Sequence, residues 1–284
     1  IMSIKDITII ITSFRSEKPI RECLKQINKE CKVINVENSN NKAYKNKIEN
    51  EFNNVECILS GENIGYAKGN NIGLKKTNTK FALILNPDAK LLPDTLGNFI
   101  LTAKKKPDFA IIGPGIIDNN SNVNNKDYSS EKIKQVESIK GFAMFLNISK
   151  FNDIGFFDEN FFLYLEEIDL CRRVIKKGKK IFIDSDIKIL HEGAKSVDST
   201  ISFEVELTRN WHWMWSKFYF QKKYKGYFYA LIQFIPKVFT STFNIILYSL
   251  LFNKRKSLVY FYRLSGIVSA IFGKSSWHRP KVKT

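Results

Sequence analysis

The chain has 284 residues, of which 44% are hydrophobic and 13% aromatic, and its formal net charge is +17. At roughly 100–200 residues per domain this length suits one large domain plus an appendage, and the apolar content excludes a disordered chain. The charge is uneven: residues 201–284 hold 14 Lys/Arg against only Glu204 and Glu206, with all four Trp and 21 of the 38 aromatics, a mixture suited to an anionic membrane surface.

In chain order, the β-branched runs Ile7 to Thr12, Lys32 to Glu37, Val55 to Leu59 and Phe81 to Leu85 read as strands. Between them Lys18 to Glu30, Ala43 to Phe52 and Ala67 to Lys76 read as helices, so the order βαβαβαβ predicts a mainly parallel sheet covered on both faces. Phe109 to Ile117 is a further strand, Asn119 to Asn125 a surface loop, and Ile139 to Leu146 a strand bearing Gly141. Leu163 to Lys177 reads as a helix stopped by Gly178, and the apolar runs Ile181 to Ile183 and Ile187 to Leu190 lead to His191. Cys23, Cys31, Cys57 and Cys171 form neither a disulfide framework nor a zinc knuckle and point to a reducing compartment. No signal peptide is visible at the start of the chain.

Ligands of parallel sheets bind at the carboxyl ends of strands. Those ends carry Thr12-Ser13-Phe14, Glu37-Asn38-Ser39, Gly61-Glu62-Asn63 and Asn86-Pro87-Asp88. Asp88 follows an apolar strand that Pro87 ends, and a carboxylate there could bridge magnesium or manganese to phosphate oxygens, although Pro87-Asp88 also reads as a plain turn. Glu166, Glu167 and Asp169 crowd the start of a helix, where the helix dipole favours acids. The apolar stretch Phe161 to Leu165 before them could desolvate one carboxylate and make it a base. His191 closes an apolar run and could complete a metal site with Asp88; a lone His is more often packed or on the surface.

Four segments together resemble the inverting family 2 glycosyltransferases, and most of all their bacterial rhamnosyltransferase-like branch. They are Asn63-Ile-Gly-Tyr-Ala-Lys-Gly-Asn-Asn-Ile-Gly73, Leu85-Asn-Pro-Asp88, Gly155 to Arg172, and His191 followed by Ser196. The resemblance covers about residues 7 to 222 and implies a GT-A fold with a Rossmann-like, mainly parallel sheet. It also implies a nucleotide-diphosphate sugar, dTDP- or UDP-linked, held by Thr12, Ser13, Phe14, Glu37, Asn38, Asn63, Gly65, Gly69, Asn70 and Asp88. Asp88 and His191 would hold Mn2+ or Mg2+, and Glu167, with Glu166 as its rival, would be the base. The chain departs from the family in three places: Asn86-Pro-Asp88 offers one acid where Asp-X-Asp is usual, Glu37 stands for Asp, and Glu166-Glu167 stands for Glu-Asp.

The catalytic domain is expected at 1–205 and a basic, helical, membrane-associated region at 206–284. Val238 to Asn253 has no charge, but Pro236 is expected to cut any spanning helix short, which favours amphipathic helices lying in the membrane plane, with Lys254-Arg-Lys256 and Arg263 at anionic headgroups. The expected setting is the cytoplasmic face of the cell membrane, with a glycan or lipid-linked acceptor and an oligomer compatible. The basic tail raises nucleic-acid binding as an alternative, but no RNA or DNA module is present. A sugar nucleotidyltransferase is the other alternative, and the Gly-rich N-terminal motif with catalytic Arg and Lys that it needs is missing.

Overall fold

The computed structural model describes residues 2–117, 131–191 and 201–281. They fall into a sheet unit, Ile1–Ile64, Lys68–Phe157 and Glu167–Asp198, and a helical unit, Gly65–Ala67, Asp158–Glu166 and Ser199–Thr284. A single cut at residue 205 therefore misses two short segments that belong with the helices.

In the sheet unit the elements run β1 (Ile7–Ser13), α1 (Glu17–Lys25), β2 (Lys32–Glu37), α2 (Lys42–Glu51), β3 (Val55–Leu59), α3 (Tyr66–Lys76), β4 (Phe81–Leu85), β5 (Ala89–Leu91), α4 (Thr95–Lys105), β6 (Phe109–Ile117), β7 (Ile133–Gln135), β8 (Ala143–Asn147), α5 (Glu166–Lys176) and β9 (Lys180–His191). The spatial order is β3-β2-β1-β4-β8-β6-β9-β5, with β7 on β9. The first four strands are parallel. Beyond β4 the sheet is mixed, because β8 runs antiparallel to both β4 and β6. Residues of β1 and β4 are buried throughout, as expected of strands covered on both faces. Their side chains join those of β2, β8 and α4 in one core that includes the ring cluster Phe81, Phe99, Phe109 and Phe145.

Several boundaries differ from the sequence reading. The strand expected from Ile139 begins at Ala143, which leaves Gly141 in the turn before it. The helix expected from Leu163 begins at Glu166, because Tyr164 and Leu165 hold left-handed φ values of 74° and 69° that no α-helix accommodates. The two runs before His191 form one strand, β9. The expected loop at Asn119 to Asn125 lies outside the described residues, as does Ser196.

The helical unit contains α6 (Ser202–Lys225), α7 (Tyr227–Leu250) and α8 (Lys254–Ile271) around a core of Trp211, Trp215, Phe218, Phe234 and Ile267. Pro236 does not end α7, contrary to the sequence expectation; it sits inside a helix of 24 residues. An interior proline removes one backbone hydrogen bond at a cost of about 3 kcal/mol. Burial of Ala230, Phe234 and Ser241 on either side of it keeps the helix intact.

Candidate active site

The ends of β1 and β2 are tied side by side by the register Ser13↔Glu37. The Tyr44 hydroxyl donates to Asn35 Oδ1 at 2.8 Å, Asn35 Nδ2 donates to Ser13 Oγ at 2.8 Å, and Ser13 Oγ donates to Glu37 Oε2. Every bond points its hydrogen toward the carboxylate, so each polarises the next. The second oxygen, Oε1, accepts from the Arg15 amide at 3.2 Å. Arg15 has φ of 50°, a left-handed conformation uncommon outside glycine, and the strained turn aims its N–H at Glu37. Glu37 is 2% exposed. Burial, followed by the Glu37 charge, pushes the Tyr44 phenol up and the Cys57 thiol up to about 12.

Neighbouring loops close on the same point. Asn38 is buried and its amide donates to the Ser13 carbonyl at 2.8 Å. The Ser60 amide and hydroxyl both donate to the Glu37 carbonyl, which brings the loop bearing Asn63 to the strand ends. Phe14 is half-buried just past β1. The Thr12 hydroxyl donates to Asn70 Oδ1 at 3.0 Å, and a Cβ at Gly69 would run into the Thr12 side chain. Thr12, Gly69 and Asn70 thus form one contact that holds α3 close to β1.

Asp88 lies at the same sheet edge, two residues past Asn86, whose amide donates to the Phe142 carbonyl at 2.8 Å. Asp88 is buried, and its charge adds to the burial that pushes the Cys23 thiol up to about 12. The following strand β5 pairs with β9 in the register Ala89↔His191, so the backbone of His191 is opposite the residue after Asp88. Sequence separation hid this adjacency, which the β5–β9 pairing creates.

Glu167 reaches this edge through Gly141. The pair Leu85↔Ala143 places the end of β4 beside the start of β8, so the segment after β4 and the segment before β8 share one edge. A Cβ on Gly141 would be 3.3 Å from both Cβ and Cγ of Glu167, so the glycine leaves the space in which that side chain lies. Cys171, one turn along α5, is pushed up to about 12 chiefly by burial, with the Glu167 charge adding to it. Asp169 has a different task. Fully buried, it accepts from Arg173 Nε at 2.8 Å, while the same guanidinium donates to the carbonyls of Ile154, Gly155 and Phe156. Asn71 clips the same stretch, exchanging hydrogen bonds with the amide and carbonyl of Phe157 at 3.0 and 2.9 Å. The sequence reading did not single out Gly141, Asn71 or Arg173 for these roles. Asn71 and the i, i+4 pair Asp169/Arg173 were already visible inside or beside the quoted motifs.

Gly65 and Glu166 belong to the helical unit. Gly65 has φ of 89°, and a Cβ there would stand 2.5 Å from the Phe162 carbonyl oxygen, so only glycine fits. Glu166 is buried and follows a stretch pinned along one face of α6. Tyr219 and Lys223 donate to Asp158 at 2.9 and 2.7 Å, Ser216 donates to the Leu163 carbonyl at 2.8 Å, and His212 stacks on Phe162 with centroids 4.2 Å apart. Residues 212, 216, 219 and 223 recur at helical spacing, so the left-handed pair Tyr164-Leu165 is held from a single helix face.

Solved structures share this architecture. The mannosyltransferase PcManGT from Pyrobaculum calidifontis, in complex with GDP-Man and Mn2+, matches with a TM-score of 0.59 and 12% identity over 95% of this chain and 88% of its own. S. aureus TarS 1-349 matches with a TM-score of 0.56 and 14% identity over 94% and 92%. The fold is therefore that of the GT-A glycosyltransferases. The profile of Glycosyl transferase family 2 matches residues 8–172, and the chain belongs to that family. Its curated relatives include the low-salt glycan biosynthesis hexosyltransferase Agl10 of Haloferax volcanii, 26% identical over 217 residues, 69% of each protein. The dTDP-rhamnosyl transferase RfbF of Shigella flexneri is 27% identical over 186 residues, 59% of this chain and 62% of that protein.

Proposed function

We propose that the chain is an inverting transferase that moves a hexose-type sugar, with rhamnose the first candidate, from a dTDP- or UDP-sugar to a hydroxyl of a lipid-linked or cell-surface glycan. One observation carries the reading: Asp88, after β4, and Gly141, before β8, share a sheet edge, and Glu167 lies against Gly141. A group able to hold a diphosphate through a cation and a group able to take a proton thus meet at the edge where parallel sheets bind nucleotides. The names of the Haloferax and Shigella relatives favour hexosyl and rhamnosyl transfer.

Among the described residues no three His, Cys, Asp or Glu gather to hold a metal. Magnesium and manganese do not need such a cage, since they keep waters and are held through one or two carboxylates plus substrate phosphates. Asp88 supplies such a carboxylate, and His191, opposite Ala89 in register, is the candidate second donor. This donor set fits an ion shared with the diphosphate. Bound there, the ion would neutralise charge on the leaving group.

Glu167 takes the proton of the acceptor hydroxyl as its oxygen attacks the anomeric carbon, and the bond to the diphosphate breaks on the opposite face, which inverts the configuration. Glu37, fixed by Ser13 and the Arg15 amide, takes a ribose hydroxyl or a base N–H, with Asn38 and Asn63 beside it and the Phe14 ring against the base. Thr12, Gly69 and Asn70 hold α3 in place, Gly65 shapes the turn before it, and Glu166 is a structural neighbour of the base. The enzyme works in the cytoplasm, peripheral on the inner face of the cell membrane; the four free, buried cysteines suit a reducing compartment.

The test is a panel of sugar nucleotides offered with a lipid-linked glycan acceptor. The expected products are a nucleoside diphosphate and a glycoside of anomeric configuration opposite to that of the donor. Release of pyrophosphate, or a product of retained configuration, would overturn the proposal.

A further inference from the structure

By length and composition alone α7 is able to cross a membrane. Its surroundings in the helical unit argue for a different arrangement. Phe228, Ile232, Phe239, Phe243, Ile246 and Leu250 are 77%, 65%, 71%, 65%, 56% and 72% exposed. At 100° per residue these six positions fall within a sector of about 60°. The buried positions Ala230, Phe234 and Ser241 lie on the opposite side. The stripe is uncharged and about 33 Å long at 1.5 Å per residue, and among the described residues nothing covers it.

The polar edge around the stripe identifies its occupant. No Asp or Glu follows Glu206 anywhere in the sequence, whereas 14 Lys and Arg do. Lys222, Lys223 and Lys225 stand at the end of α6 just before α7, and Lys254, Arg255 and Lys256 open α8 just after it. Cations at both ends of an uncharged aromatic and aliphatic stripe complement anionic headgroups above an acyl layer.

The partners of α7 decide its orientation. α8 runs back along it: the Tyr227 hydroxyl donates to the Ile271 carbonyl at 3.3 Å, Ser249 and Ser257 share a hydrogen bond of 2.9 Å, and the rings of Tyr248 and Tyr260 stack at 5.7 Å. Midway along α8, Arg263 donates to Asn210 of α6 at 2.7 Å. A spanning α7 would carry Arg263 into the hydrocarbon, where a charge is costly. We infer that α7 lies flat in the interface of an anionic bilayer with this stripe against the acyl chains, and that the helical unit docks on the membrane without crossing it.

The test uses the full chain with vesicles of phosphatidylcholine alone or mixed with phosphatidylglycerol. Flotation is expected with the anionic vesicles and not with the neutral ones. Phe239→Glu and Phe243→Glu should each weaken partitioning at least tenfold, while Asn244→Glu, off the stripe, changes it less than threefold, and circular dichroism checks that each variant folds. The four native cysteines are buried, so spin labels on Phe228→Cys, Phe239→Cys and Leu250→Cys report depth. Equal shallow depths are expected. A deepest label at position 239 would make α7 a span. Binding unchanged by Phe239→Glu, or a self-association without vesicles that Phe239→Glu abolishes, would equally overturn the inference, the latter assigning the stripe to a second copy of the chain.

Discussion

The two units bury polar groups for opposite ends. In the sheet unit acids go inside: Glu37, Asp88, Asp169 and Asp184 are all at most 7% exposed, at or near strand ends, within β9 or on α5. Those whose bonds are described are gripped by aimed donors, as Glu37 is by Ser13 and the Arg15 amide and Asp169 is by Arg173. The helical unit buries mainly neutral rings and hydroxyls, with His212 and Ser216 inside, Glu166 as its one buried acid among the described residues, and its many cations outside. Carboxylates fixed at a sheet edge suit proton and cation chemistry, whereas cations around an apolar stripe suit a surface. On the functions proposed above, reaction falls to the unit with the carboxylates fixed at a sheet edge and attachment to the unit whose apolar stripe is flanked by cations.

The largest loss is expected from removing the acid just past the end of β4. Asp88→Ala is expected to lower kcat/KM by about 10³-fold, the several kcal/mol that an ion at a transferring diphosphate supplies. Titration with manganese should fail to restore the rate, and full turnover of the wild type in excess chelator would remove the ion from the mechanism.

A second prediction concerns acid and the helical unit. Burial, chiefly, holds the His212 imidazole down at about 3 against 6.5 for a free side chain. The unfolded chain then binds the proton more tightly, so this contribution to stability is complete above pH 6.5 and is lost as pH falls toward 3. By pH 5 the loss amounts to about 2 kcal/mol. Amide exchange in α6 should accelerate at pH 5 relative to pH 7, after correction for intrinsic rates, and His212→Gln should flatten that dependence.

The smallest effect is expected at Gly141. Alanine there would press on Glu167 at 3.3 Å, a contact relieved by a few tenths of an ångström. Gly141→Ala should lower kcat by about tenfold, less than the roughly 10²-fold that a 1 Å misplacement can cost, and leave donor affinity unchanged. A loss of donor affinity alone would detach Glu167 from the chemistry.

Much of the sheet was legible because β1 and β4 are β-branched and apolar runs buried along their whole length, and because β2 and β3 keep short β-branched and aliphatic segments between polar stretches. The three-residue strand β5 was not, since no periodicity survives at that length, and its pairing with β9 is what sets His191 beside Ala89. Helix α4 went unassigned although its buried Leu96, Phe99, Ile100 and Ala103 recur at helical spacing. The left-handed pair Tyr164-Leu165 was beyond sequence reasoning, because α6 imposes it from about 50 residues away through Ser216 and His212. Pro236 misled in the other direction, since tertiary packing overrode a strong local signal.

In the proposed reaction Glu167, lying against Gly141, takes the acceptor proton. Single-turnover transfer by Glu167→Gln and Glu166→Gln, with donor binding measured alongside, tests it most directly. Glu167→Gln is expected to lose at least the roughly 10²- to 10⁴-fold that general base catalysis contributes while binding donor normally, Glu167→Asp to retain part of the rate, and Glu166→Gln to stay within about tenfold of wild type. A Glu167→Gln enzyme that transfers sugar at the wild-type rate beside an inactive Glu166→Gln would contradict the account.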